Sequence, residues 1–108
     1  MLLASVEHNL ISFVGDLTVS NIVQARDELG AVLQQDGPVV VDIDGVGEID
    51  LTFVQLLESA RRKAVETGRE LKLHHSADGA VLEVLRRGGF LDNENSERAQ
   101  FWLQGAAQ

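Results

Sequence analysis

The sequence predicts a single small α/β domain in which a mixed β-sheet of four to five strands packs with about four helices. Three observations carry this. Short β-branched or alternating runs, at 2–7, 10–14, 39–43 and 70–74, are separated by stretches with apolar residues at helical spacing. Only two residues divide the first pair of runs, so these pair antiparallel; each later strand is reached through a helix and needs a right-handed crossover. The chain has 108 residues, 44% of them hydrophobic, enough for one core and too few for a second.

In chain order, residues 2–7 and 10–14 flank His8 and Asn9, and Asn in the second place of a two-residue connection suits a tight hairpin with His8 in the turn. Gly15, Asp16, Leu17 and Thr18 then turn the chain. Ser20 or Asn21 can cap a helix over about 22–34, with Ile22, Ala25, Leu29, Val32 and Leu33 on one face and Asp36-Gly37-Pro38 as its stop. The run 39–43 alternates too little for one wet face, so it is expected inside the sheet with both sides covered. A short acidic, glycine-containing loop follows.

Phe53, Leu56, Leu57, Ala60 and Ala64 then recur at helical spacing as far as Gly68, a suitable C-terminal cap. Glu58 and Arg62, four apart, are expected to pair on the solvated face for roughly 0.2–0.5 kcal/mol. Residues 70–74 read as a strand exposed on one side. Ser76 or Asp78 can begin a third helix that buries Val81, Leu82, Val84 and Leu85 and ends at Gly88-Gly89, with Arg86 and Arg87 suited to its C-terminal dipole. A last helix from about Ser96 to Gln104 docks Phe101 or Trp102 on the core. The domain is therefore placed at 1–104, with 105–108 expected to be a disordered tail.

Nine basic residues against 17 acidic ones give a formal charge of −8, which repels phosphate backbones and anionic lipids. Nucleic acid and membrane surfaces are poor partners for such a chain; a basic protein surface suits it better, although the same imbalance also serves solubility. The absence of cysteine excludes disulfides, thiolate metal sites and cysteine nucleophiles, and a reducing cytoplasm is the simplest compartment. No run reaches transmembrane length and no cationic segment precedes the first apolar residues, so neither a span nor a signal peptide is expected.

Few side chains offer chemistry. His74 and His75 are adjacent at a strand end, so they are expected to face opposite sides and not to chelate together; His8 belongs to the turn. Asp42, Asp44, Glu48 and Asp50 gather near one end of the sheet but match no calcium loop and have no nucleophile beside them; as turn and cap residues they need no catalytic role. Gly45-Val46-Gly47 lacks the third glycine of a dinucleotide fingerprint and the lysine of a P-loop. The hydroxyl of Thr52 falls where the loop becomes a helix. Spacing alone favours a cap, but a phosphate there would also meet unpaired helix N–H groups. Phe53 reads as core, and Arg61, Arg62 and Lys63 as one turn of solvated helix or the rim of an interface.

The order of these elements, with 39–43 running into Ile49-Asp50-Leu51-Thr52, resembles the STAS domain of anti-sigma factor antagonists. The likeness extends from Gly15-Asp16-Leu17-Thr18, similar to that family's Gly-Glu-Leu-Asp, to Leu82-Glu83-Val84-Leu85 and Gly89-Phe90. Where the family has Asp-Ser-Ser-Gly, this chain has Asp50-Leu51-Thr52-Phe53, so Thr52 stands at the usual phosphoacceptor, while Leu51 and Phe53 make its approach greasier. Thr18 stands where the family often has an acid.

The resemblance implies a non-enzymatic cytoplasmic regulator, without cofactor or metal, that a serine/threonine kinase acting as anti-sigma factor binds and phosphorylates at Thr52 and a phosphatase resets. The partner surface it implies comprises Thr18, Asp50, Leu51, Thr52, Phe53 and Gln55. The Asp-Leu-Thr-Phe form is also similar to STAS proteins of chemotaxis or two-component systems, and other stand-alone STAS proteins serve lipid transporters. The alternative is thus a constitutive, unphosphorylated adaptor in which Thr52 and Phe53 are contacts. A third reading, an acidic-loop enzyme, requires a metal or ligand among Asp42, Asp44 and Asp50.

Overall fold

A computed structural model describes residues 2–7, 9–35, 37–92 and 97–104. The elements run β1 (Leu3–Glu7), β2 (Leu10–Leu17), α1 (Ile22–Leu33), β3 (Val39–Ile49), α2 (Leu51–Glu66), β4 (Leu71–Leu73), α3 (Gly79–Arg87) and α4 (Glu97–Gln104), the order expected from periodicity. The sheet has the order β1-β2-β3-β4; β1 is antiparallel to β2, and β2, β3 and β4 are mutually parallel. The readings placed on His8, Asp36, Ser96 and 105–108 lie outside the described residues. No described helix is long and apolar enough to cross a membrane.

The hairpin closes with Glu7 opposite Leu10, and Asn9 adopts a φ of 69°, a left-handed conformation that Asn tolerates better than most residues. The Asn9 carbonyl accepts the Val40 N–H at 3.0 Å, which ties the turn to the start of β3. Both helix ends assigned to glycine are as expected. Gly68 and Gly89 have positive φ, and the Arg69 N–H reaches the Ala64 carbonyl at 2.8 Å while the Phe90 N–H reaches that of Leu85 at 3.0 Å.

Two segments differ from the sequence reading for a common reason. Gly15–Leu17 of the expected turn and the expected acidic loop after Ile43 are both strand, paired with each other: Val14 opposes Gly45, Gly15 opposes Val46 and Leu17 opposes Ile49. Between the paired positions Ile11/Val41 and Leu17/Ile49, β2 advances six residues while β3 advances eight, and two register shifts absorb the difference. The two glycines admit this close approach. A Cβ on Gly45 would lie 3.0 Å from the Val14 Cγ2, and one on Gly47 2.9 Å from the Asp16 Oδ1 that accepts the Glu48 N–H. The chain turns only at Thr18–Asn21, where the Asn21 N–H bonds to the Thr18 carbonyl at 3.0 Å and the Asn21 Oδ1 accepts the Thr18 N–H at 2.9 Å. Asn21 precedes α1 but makes no side-chain cap to it.

One face of the sheet carries the core. Ile11, Phe13 and Leu17 of β2, Val39, Val41, Ile43 and Ile49 of β3, and Leu71 and Leu73 of β4 are buried with Ala25, Leu29 and Val32 of α1 and Phe53, Val54 and Leu57 of α2. The expectation that β3 is covered on both sides is corrected: Val40 and Asp42 are only half-buried, as are Leu10 and Ser12 beside them, and Lys72 is exposed. The valine run therefore reflects the β-propensity of a strand with neighbours on both edges, with its apolar cover on one side.

The pairing expected between Glu58 and Arg62 is also corrected. Glu58 is buried at 4% exposure, the only charged residue so placed among those described, and it meets Arg61 at 3.0 Å and the indole Nε1–H of Trp102 at 2.8 Å. Trp102 is fully buried edge-on to Phe53, with centroids 6.4 Å apart, and its carbonyl accepts the Ala77 N–H at 2.7 Å. Helix α4 is thus fastened to α2 through one carboxylate taken out of water and compensated by a cation and an N–H. Trp102→Ala is expected to cost about 3–5 kcal/mol, through both the cavity and the unpaired carboxylate oxygen. Trp102→Phe, which keeps most of the volume, is expected to cost about 1.5–3 kcal/mol through the lost hydrogen bond to a charged group. Urea unfolding midpoints check both, and an unchanged midpoint in the alanine variant would exclude α4 from the cooperative unit.

Candidate functional site

The site forms where β3 hands over to α2. Asp50 is extended, at φ −132° and ψ −175°, and acts as the N-cap of α2: its Oδ1 accepts the Thr52 N–H at 3.0 Å and also the Thr52 hydroxyl. Its other oxygen, Oδ2, accepts the Val19 N–H at 2.8 Å from the turn before α1. One carboxylate therefore joins two segments that the sequence separates by 31 residues. Burial pushes its pKa up, but the Thr52 hydroxyl, then the N–H groups of Val19, Thr52 and Phe53, together outweigh that and hold it below the usual carboxylate value. Asp50 is ionised at neutral pH, and the Thr52 hydroxyl is committed to it as donor.

Around this pair the residues expected at a partner surface divide. Thr18, Asp50 and Thr52 are half-buried, and Leu51 and Gln55 are exposed. Phe53 is fully buried against Trp102, so the expectation of an exposed aromatic contact is corrected: Phe53 supports the site from beneath and presents no ring to a partner. The surface instead carries apolar residues that periodicity gave no reason to choose. Val19 is 67% exposed, Val23 55% and Leu51 46%. Val23 and Gln55 also line a shallow groove of about 330 Å³ between α1 and α2, with Ile22, Arg26, Leu56 and Ser59. Val19 and Val23 lie in a turn and on the outer side of a first helical turn, where no repeat marks them.

The acidic residues from Asp42 to Asp50 do not converge as expected. Asp50 caps α2, and Asp42 Oδ1 accepts the Asp44 N–H at 2.9 Å. Asp44 Oδ2 lies 2.5 Å from the Nδ1 of His75. His74 and His75, expected on opposite sides of a strand, are neighbours, because β4 ends at Leu73 and the chain bends through both; their ring centroids are 4.2 Å apart at 62°. Among the described residues, Asp44, His74 and His75 alone bring three potential metal ligands together. The Arg61-Arg62-Lys63 run is split, since Arg61 is bound to Glu58 while Arg62 and Lys63 are exposed.

Solved structures share this fold. The anti-sigma factor antagonist SpoIIAA in its unphosphorylated form is 13% identical with a TM-score of 0.60, over 80% of this chain and 82% of that one. An anti-sigma factor antagonist from Mycobacterium paratuberculosis is 17% identical with a TM-score of 0.64, over 85% of this chain and 80% of that one. The murine solute carrier 26 family member A9 anion transporter, in its inward-facing state, matches 88% of this chain with 16% of its own, at 17% identity and a TM-score of 0.67. At these identities the likeness establishes the architecture. No curated protein matches the chain in sequence. Residues 2–93 match the family model described as Mlab, STAS domain. With most of its length covered by that model and its strand and helix order that of a STAS fold, the chain belongs to the Mlab STAS-domain family.

Proposed function

We propose that this chain is a non-catalytic cytoplasmic regulator that binds a protein partner through the surface bearing Thr52, and that phosphorylation of Thr52 is its switch. The observation that carries this reading is the hydrogen bond from the Thr52 hydroxyl to Asp50 on the first turn of α2, beside exposed Val19, Val23 and Leu51. Esterifying that oxygen removes its proton, so the bond to Asp50 is lost. In its place stands a group carrying about −1.5 to −2 charges next to an ionised carboxylate. The helix N-terminus offers partial compensation, and the phosphate competes with Asp50 for the same N–H groups.

Repulsion then weakens the hold of Asp50 Oδ2 on the Val19 N–H, which fixes one apolar part of the surface. Modification thus alters both the charge and the shape presented to a partner. A partner with an acidic rim, such as a kinase that doubles as an anti-sigma factor, is released by the charge, and a phosphatase restores the hydroxyl. Coupling of this kind is worth about 1.4–2.7 kcal/mol, or roughly tenfold to a hundredfold in affinity.

A second reading is a constitutive adaptor, in which the same surface is occupied permanently and the Thr52 hydroxyl is only a structural cap. Its support is the engagement of that hydroxyl by Asp50 and the occurrence of the fold inside an anion transporter. Mass spectrometry of the protein from its own cells separates the two readings. Phosphate at Thr52 supports the switch; a stable complex with no phosphate under any growth condition supports the adaptor.

Against the partner recovered from those cells, Thr52→Glu is expected to bind about tenfold to a hundredfold more weakly than wild type, and Thr52→Ala to bind while refusing phosphate. Equal affinity for all three forms would remove Thr52 from the mechanism. Asp50 supplies a second test through pH. Because its pKa is lower folded than unfolded, its stabilising contribution is full above the ordinary carboxyl value of 3.8 and is lost as pH falls through the lower folded value. Asp50→Asn is therefore expected to melt below wild type at about pH 7 and to converge with it as the pH falls through the lowered folded value of Asp50. A gap that persists undiminished in acid would show that the charge of Asp50 is not what stabilises the junction.

A further inference from the structure

We propose that Asp44, His74 and His75 form a binding site for a late first-row divalent cation, with Zn²⁺ as the leading ligand, where the middle of β3 passes the C-terminal end of β4. This inference is independent of the role given to Thr52. Each residue offers one donor atom, and the three donors lie within 4.8 Å of one another. Donors about 2.0–2.1 Å from a tetrahedral zinc stand about 3.3 Å apart, so the cluster needs only small side-chain adjustments to close on an ion. The nearest pair, His75 Nδ1 and Asp44 Oδ2 at 2.5 Å, must part by about 0.8 Å to reach that spacing. Both side chains are about half exposed, at 49% and 51%, and have room to rotate. On binding, Nδ1 of His75 gives up its place in this hydrogen bond to the metal, and the neutral imidazole carries its proton on Nε2.

The backbone beneath the donors is already fixed. The His74 N–H bonds to the Val41 carbonyl at 2.8 Å, extending the β3–β4 ladder by one residue, and the Asp44 N–H is held by Asp42 at 2.9 Å. His74 is half-buried, and its Nδ1 is buried without a hydrogen-bond partner among the described residues. A ring nitrogen in that state is an unspent polar group at the edge of the cluster. Two imidazoles and one carboxylate suit zinc, cobalt, nickel or copper, whereas calcium and magnesium prefer oxygen ligands throughout. Three protein donors leave a further position for water, as in an exchangeable site. The formal charge of −8 raises the local concentration of cations.

The test uses the full chain stripped with chelator and titrated with ZnCl₂ by calorimetry, with CoCl₂ as a spectroscopic probe and thermal melts in parallel. The expected result is saturable binding of one equivalent, a melting midpoint that rises with Zn²⁺ and returns with EDTA, and visible Co²⁺ absorption typical of nitrogen and oxygen ligation. Asp44→Asn and His75→Gln, both at exposed positions, should each weaken binding at least about tenfold, the least that even an outer-shell partner costs. His8→Gln should leave it unchanged. His74→Gln is read by circular dichroism first, and by ¹⁵N shifts of the imidazole nitrogens in the wild type if it fails to fold. Undiminished binding in the Asp44→Asn/His75→Gln double variant, imidazole shifts confined to His8, or equal stabilisation by Ca²⁺ would each overturn the proposal.

Discussion

The Asp50 carboxylate is the constraint on which the functional end of this molecule depends. It caps α2 through the Thr52 N–H, receives the Thr52 hydroxyl and reaches back to the Val19 N–H. These contacts are available only because β2 and β3 remain paired to Leu17 and Ile49, which delivers the turn before α1 and the start of α2 to the same place. The cap and the strand pairing therefore reinforce each other. Removing the charge from Asp50 loosens both segments, and placing another negative charge beside it does the same from the opposite direction. A single carboxylate divided between two backbone segments is thus sensitive to any charge placed beside it.

The architecture was legible because each element carries its own period. Helical spacing marked α1 and α2, the two-residue gap marked the hairpin, and glycines marked the two helix ends that rely on positive φ. What was misread was the passage after Ile43, where acids and glycines together resemble a loop. The passage is nonetheless strand, although its alternation breaks: Ile43 and Ile49 are buried, while Asp44, Gly45, Gly47 and Glu48 between them are exposed. Gly45 and Gly47 sit where side chains of β2 leave no room, so they mark close approach between strands. Composition suggested a turn; pairing with β2, which no local pattern announces, keeps the passage extended.

The site was legible in part. Asp50 as a cap and Thr52 at the start of a helix follow from the order of apolar and polar residues. Val19 and Val23 could not be found that way, since a lone apolar residue in a turn belongs to no repeat. Glu58 shows the converse failure. Its i,i+4 relation to Arg62 suggested a solvated pair, but its burial comes from α4, more than forty residues away, folding Trp102 over it. The adjacency of His74 and His75 was likewise hidden, because opposite orientation holds only while the chain stays extended, and β4 stops one residue short of them.

The acidic residues of β3 and the α2 cap that follows it show how one passage can serve several purposes without gathering its charges. Asp42 holds the backbone of Asp44, Asp44 faces His75, and Asp50 organises α2. Had the passage been a loop, these carboxylates could have crowded into one anionic pocket, with the mutual repulsion that raises carboxylate pKa values. Extended backbone keeps successive same-side residues more than 6 Å apart, by a rise of about 3.3 Å per residue. That spacing lets each charge take its own partner. It also keeps the Asp50 carboxylate ionised and dependent on Thr52 and Val19, and separates it along the chain from the histidine cluster at Asp44. A phosphate at Thr52 would therefore act on the junction of β3 and α2, while a cation at Asp44 would act on the β3–β4 edge.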